Sequence, residues 1–125
     1  MAIQRFEEMK VWQDARILTK NIYSLTQNKY FNKDFGLRDQ IQRAAVSIMS
    51  NIAEGYERDS NKEFVKFLGY SKGSVGEVRS LLYVALDQEY ISEMEFNNLK
   101  ESATNISTQI ANFIKYLRKR ENTTK

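Results

Sequence analysis

Four apolar stripes constrain this chain more than any other feature. They run Val11, Ala15, Leu18, Ile22, Leu25; then Leu37, Ile41, Ala44, Ile48, Ile52; then Phe64, Leu68, Ser71, Val75, Val78, Leu82, Ala85; and last Phe96, Leu99, Ala103, Ile106, Ile110, Phe113, Leu117. Steps of three and four residues put each set on one side of a helix. Strand-type alternation never lasts beyond four residues, and hairpin dipeptides are missing. There is no proline to interrupt a helix. The pattern predicts an all-α chain with helices over about 9–26, 36–56, 61–88 and 93–119. At 125 residues it has room for a single domain, 1–125, ending in a basic tail over 118–125. Short connections force neighbouring helices antiparallel, and strict three-four stripes favour shallow left-handed crossings. The expected architecture is an antiparallel, up-down-up-down, left-handed four-helix bundle.

Local signals mark the boundaries. Ser60 with Glu63, and Ser92 with Glu95, have the spacing of capping boxes. Gly55 stands where the second stripe ends, either as a left-handed cap or as the last helical residue. Asn28, Asn32 and Asp34 among aromatics make Gln27–Gly36 the one long loop. Helices two and three read as buried on more than one side, through Val46, Met49, Ala53 and Tyr56 on the former and Tyr70, Leu81 and Val84 on the latter. Gly69, Gly73 and Gly76 share a line on the third helix, each costing about 1 kcal/mol relative to alanine. Close approach by a neighbour would offset that cost, either inside the monomer or at a subunit contact.

Composition narrows the chemistry. The chain has no cysteine and no histidine. That removes disulfides, thiolate nucleophiles, zinc–sulfur sites, the commonest general base and the commonest metal ligand. No apolar run is long enough for a membrane span and no signal peptide is evident, so the expected location is cytoplasmic.

The remaining acid–base groups are carboxylates. Asp39, Arg43, Ser47, Ser50 and Glu54 descend one polar face of the second helix. A catalytic reading makes Glu54 a general base beside Ser50 or Asn51; the plainer one is a solvated or interface face with an Asp39–Arg43 pair. A lone serine with no positioned base favours the plainer reading, and no catalytic residue is assigned. Glu7 with Glu8, Glu54 with Glu57 and Asp59, and Glu93 with Glu95 lack the spacing of a calcium loop. Gly69–Ser74 lacks the phosphate-loop pattern. No metal and no cofactor is expected.

Charge is more informative. Between Lys115 and Lys125, five cations (Lys115, Arg118, Lys119, Arg120, Lys125) oppose Glu121, a net of +4. The whole chain carries +3, so the remainder is −1. Two readings stand side by side. The cations complement the negative end of a helix dipole, or they form a phosphate-binding patch with Tyr116 as a stacking surface.

A longer pattern is also present. The run Arg43-Ala44-Ala45-Val46-Ser47-Ile48-Met49-Ser50-Asn51-Ile52-Ala53-Glu54-Gly55 follows an opening Phe6-Glu7-Glu8-Met9-Lys10-Val11-Trp12 and precedes Phe64-Val65-Lys66-Phe67-Leu68 and Gly73-Ser74-Val75-Gly76-Glu77. From Phe6 to about Leu117 the chain resembles the four-helix bundle proteins encoded in intervening sequences of bacterial 23S rRNA genes. Met49 departs from the proline usual there, which predicts a straighter second helix. The resemblance implies a ring-like homopentamer and kinship with the accessory variability proteins of diversity-generating retroelements, which bind nucleic acid and a reverse transcriptase through a basic surface. It implies no enzymatic activity, and the family's ribosomal-protein label reflects gene location. Arg43, Ser47, Asn51, Glu54 and Gly55 carry over as structural or assembly residues.

The expectation is therefore a non-enzymatic, oligomeric bundle whose Lys115, Arg118, Lys119 and Arg120 bind RNA or DNA backbone. The rival is an adaptor that holds a partner protein. A helical-bundle nuclease would need a histidine beside an arginine, which this chain cannot supply.

Overall fold

The computed structural model describes residues 3–123, with side chains placed through Arg120. It contains α1 (Lys10–Leu25), α2 (Phe35–Glu57), α3 (Asn61–Asp87) and α4 (Glu93–Thr123), with 3-10 turns at Phe6–Glu8 and Phe31–Lys33. No strand occurs among the described residues. The chain forms a four-helix bundle.

The stripes become the core because burying one face of each helix removes the largest apolar area from water. Every stripe residue is buried except Leu25 and Phe113, which are half-buried. Each of α1 and α3 packs against both α2 and α4. Thr19 reaches Ala45, Gly55 abuts Phe64 and Phe67, Ser71 reaches Ile48, Asp14 meets Gln109, and Tyr83 stacks on Phe96. Ser71 is polar yet wholly buried; its hydroxyl donates to the Ile48 carbonyl at 2.7 Å, which satisfies it inside the core.

Serine caps start two helices. Ser60 Oγ accepts from Glu63 N, and Ser92 with Glu95 makes the full reciprocal box, at 3.1 and 2.9 Å. The helix ends differ from the glycine expectation. Gly55 lies inside α2, and the left-handed residues are Asp59 (φ 56°) and Glu89 (φ 61°). At Glu89 two backbone bonds, Glu89 N to Leu86 O and Tyr90 N to Ala85 O, close a Schellman turn. These bonds satisfy two last-turn carbonyls, which offsets the cost of holding a residue other than glycine in the left-handed conformation.

Gly55 serves close packing instead. A Cβ there would stand 2.7 Å from Phe67 Cβ. Gly69, Gly73 and Gly76 are the opposite case: nothing lies within 4 Å of where their Cβ atoms would be, so monomer packing does not explain them. The second buried side expected of α2 and α3 forms in part: Leu81 is buried and Met49, Ala53 and Tyr56 are half-buried, whereas Val46, Tyr70 and Val84 are exposed.

The segment expected as one long loop is largely ordered by its own side chains. Phe31 is fully buried, and α2 starts at Phe35, with Gly36 in its first turn and Asp34 capping Leu37 N at 3.1 Å. The Asp39–Arg43 pair does not form. Asp39 bonds Arg38 at 3.0 Å, because Arg38 Nη1 is already held by Asn32 and its Nε meets the adjacent carboxylate.

Candidate nucleic-acid interface

The last turns of α4 place the basic residues. Lys115, Arg118 and Lys119, spaced by three and four, share a surface turned away from buried Leu117. All three are exposed, and none makes an ion pair or hydrogen bond among the described residues. Their charge is therefore not cancelled by a salt bridge on the bundle surface.

Arg120 lies apart from this group. Its Nη1 donates to the Tyr116 hydroxyl at 3.0 Å, and its guanidinium sits 5.6 Å from the Tyr116 ring centroid. Of the four predicted binding residues, the structure brings three together and turns the fourth toward Tyr116. The region expected as a tail is helical to Thr123, so Arg118–Arg120 are held on the bundle by α4 itself. The Glu121 side chain and Lys125 lie outside the described residues.

Beside Tyr116 is a cleft of about 840 Å³ at the meeting of α4's end, the start of α3 and the segment before α1. Its walls are aromatic. Tyr56 and Phe64 meet edge-on at 5.9 Å, Phe64 and Phe113 at 5.2 Å, and Phe113 and Tyr116 at 6.2 Å. Tyr56 donates its hydroxyl to the Ile3 carbonyl at 2.9 Å, tying the N-terminal segment across one side. Glu57 and Asp59 supply carboxylates to the rim. Sequence reasoning did not assemble these rings. Phe64 opens the third stripe and Phe113 lies near the end of the fourth, Tyr56 and Tyr116 stand outside the stripes, and only the α2–α3 turn and the α4 end bring them to one place.

The signature residues of α2 are mostly occupied in packing. Ser47 Oγ accepts from Asn51 Nδ2 at 3.0 Å and from Ser74 at 3.1 Å, which links α2 to α3. Glu54 binds Arg58 Nη2 at 2.7 Å, and that hydrogen bond, outweighing slight burial, raises the Arg58 pKa. Arg58 also lies 4.8 Å over the Phe67 ring, beside the Gly55 contact. Arg43 is exposed and has no partner among the described residues. Glu54 is thus engaged by a cation, with no hydrogen bond to Ser50 or Asn51 that would make it a base for either. Among the described residues, no group of three or more His, Cys, Asp or Glu could hold a metal ion. No helix among the described residues is long and apolar enough to cross a membrane.

Fold and site define a class: a four-helix bundle with an exposed basic helix end and an aromatic cleft beside it. Residues 7–112 match the family model for the 23S rRNA-intervening sequence protein. The chain belongs to that family. No curated protein matches it. Among solved structures it is similar to a protein of unknown function from the S23 ribosomal protein family of Bacteroides thetaiotaomicron, with a TM-score of 0.77 and 24% identity, covering 84% of this chain and 98% of that one. That likeness concerns the fold.

Proposed function

We propose that this protein is a non-enzymatic, self-associating bundle of antiparallel, up-down-up-down, left-handed helices that binds the phosphate backbone of RNA or DNA. The observation that carries the reading is the row Lys115, Arg118 and Lys119, exposed on α4 without an acidic partner among the described residues. Backbone contact by lysine and arginine is sequence-independent and releases counterions. Self-association is supported by the outer face of α3, where Gly69, Gly73 and Gly76 meet nothing within 4 Å and Tyr70, Tyr83 and Val84 are exposed. In the homopentamer that the family resemblance implies, co-oriented ends would add their fields and strengthen a weak single-chain site. A cytoplasmic location goes with this reading.

The test is fluorescence anisotropy with structured RNA and duplex DNA over a salt series. Binding that weakens steeply with salt, and falls at least tenfold when Lys115, Arg118, Lys119 and Arg120 become alanine, supports the proposal. No binding at low salt, or binding indifferent to the four substitutions, refutes it. The adaptor reading draws on the same exposed α3 face. Stoichiometric capture of one protein after nuclease treatment, by a chain that binds no nucleic acid, would favour it.

A further inference from the structure

We propose that the cleft beside Tyr116 receives an unpaired nucleobase, so that the basic end of α4 prefers single-stranded nucleic acid to duplex. This rests on the backbone-binding reading and adds where the base goes.

Tyr116 is the ring of the cluster most open to water. It is 53% exposed, whereas Phe64 is buried and Tyr56 and Phe113 are half-buried. Its neighbours hold it from behind in the chain of edge-on contacts, and Arg120 braces it through both hydroxyl and ring. A supported, exposed aromatic at the mouth of a cleft is suited to stacking, and every base has a face to stack. The cleft, about 840 Å³, falls within the roughly 300–1,000 Å³ of small-molecule sites.

Charge directs the rest of the nucleotide. Lys119 follows Tyr116 by three residues and Lys115 precedes it by one. Side chains three apart on a helix stand about 5–6 Å apart at Cβ, comparable with the span from a base to its own phosphate. Glu57 and Asp59, which also line the cleft, repel phosphate. The backbone therefore follows α4 while the base turns inward, where those carboxylates accept hydrogen bonds from its exocyclic amino group. A duplex keeps its bases stacked and paired, so it reaches the basic row but not the cleft.

The experiment uses the full chain with unstructured RNA and DNA single strands, and duplexes of equal length, followed by anisotropy at fixed low salt. Wild type is expected to bind single strands about tenfold more tightly than duplex. Tyr116→Ala is expected to bring single strands to the duplex level while duplex affinity stays within about twofold, and Tyr116→Phe to keep the preference. Thermal melting checks that both variants fold. Equal affinity for single strands and duplex, or a preference that survives Tyr116→Ala, overturns the cleft's role and leaves backbone binding standing. Absence of binding to either form overturns both. RNA and DNA arms that differ in affinity, with Tyr116 dependence in each, support the proposal and identify the favoured sugar.

Discussion

The two ends of the bundle are built on opposite principles. Where α1 hands over to α2, and α3 to α4, the end is closed. Phe31 fills it completely, the Asn28 amide donates to Tyr90 O at 2.7 Å and its carbonyl accepts from Phe31 N at 2.8 Å. Asp34 caps α2 with one carboxylate oxygen and accepts the Tyr90 hydroxyl at 3.0 Å with the other, a hydrogen bond that raises the Tyr90 pKa. At the end formed by the α2–α3 turn and the last turns of α4, a cleft stays open and three cations have no acidic partner among the described residues. Satisfied polar groups and a buried ring make stability; an exposed ring and free charge make capacity for a ligand. One fold separates the two tasks by placing them at opposite ends.

The contrast is sharpest under substitution. Phe31→Ala at the closed end should destabilise the protein by about 3–5 kcal/mol in urea unfolding, because a fully buried ring leaves a cavity. Asn28→Ala should cost about 1–3 kcal/mol, since it strands the Tyr90 carbonyl and the Phe31 amide together. If either value came out near zero, the closed end would not be a main source of stability.

Toward the open end, expected effects shrink. Burial pushes the Asp14 carboxyl up, but hydrogen bonds from Lys10 and Gln109 and the Lys10 charge outweigh it, holding the pKa below the usual 3.8. A depressed folded pKa stabilises above the unfolded value and is lost as pH falls through the folded one. Asp14→Asn should therefore cost about 0.5 kcal/mol at neutral pH, with the gap to wild type closing below pH 3.8, as read from melting curves across pH. Tyr116→Ala should change stability by less than about 0.5 kcal/mol, because half of the ring is already in water. A large loss there would make Tyr116 a structural ring and erase the difference between the ends.

Much of the core was legible as a pattern. Apart from half-buried Leu25 and Phe113 the stripes from Val11 to Leu117 are buried, and the serine caps at Ser60 and Ser92 are where the third and fourth helices begin. Three and four residues make a turn whatever the neighbours do, so local periodicity suffices. Phe31, Met9 and Ile91 escaped it because they are buried outside any stripe, by connections that fold back. The glycines were ambiguous in sequence for a related reason. Gly55 and Gly73 look alike in sequence, but one faces Phe67 and the other faces nothing, and only the partner helix distinguishes them.

The candidate site divides in the same way. Its charge was readable, since Lys115, Arg118 and Lys119 lie within two helical turns and their spacing alone puts them on one face. The departure of Arg120 toward Tyr116, and the cleft walled by Tyr56, Phe64 and Phe113, depend on helices far apart in the chain.

The sequence by itself determined the helices, their buried faces and the position of the positive charge, because these follow from spacing along a single helix. Tertiary structure decided which end closes, which glycine is a contact and where an open aromatic surface meets the basic row. Those are relations between helices, and packing geometry rather than periodicity sets them.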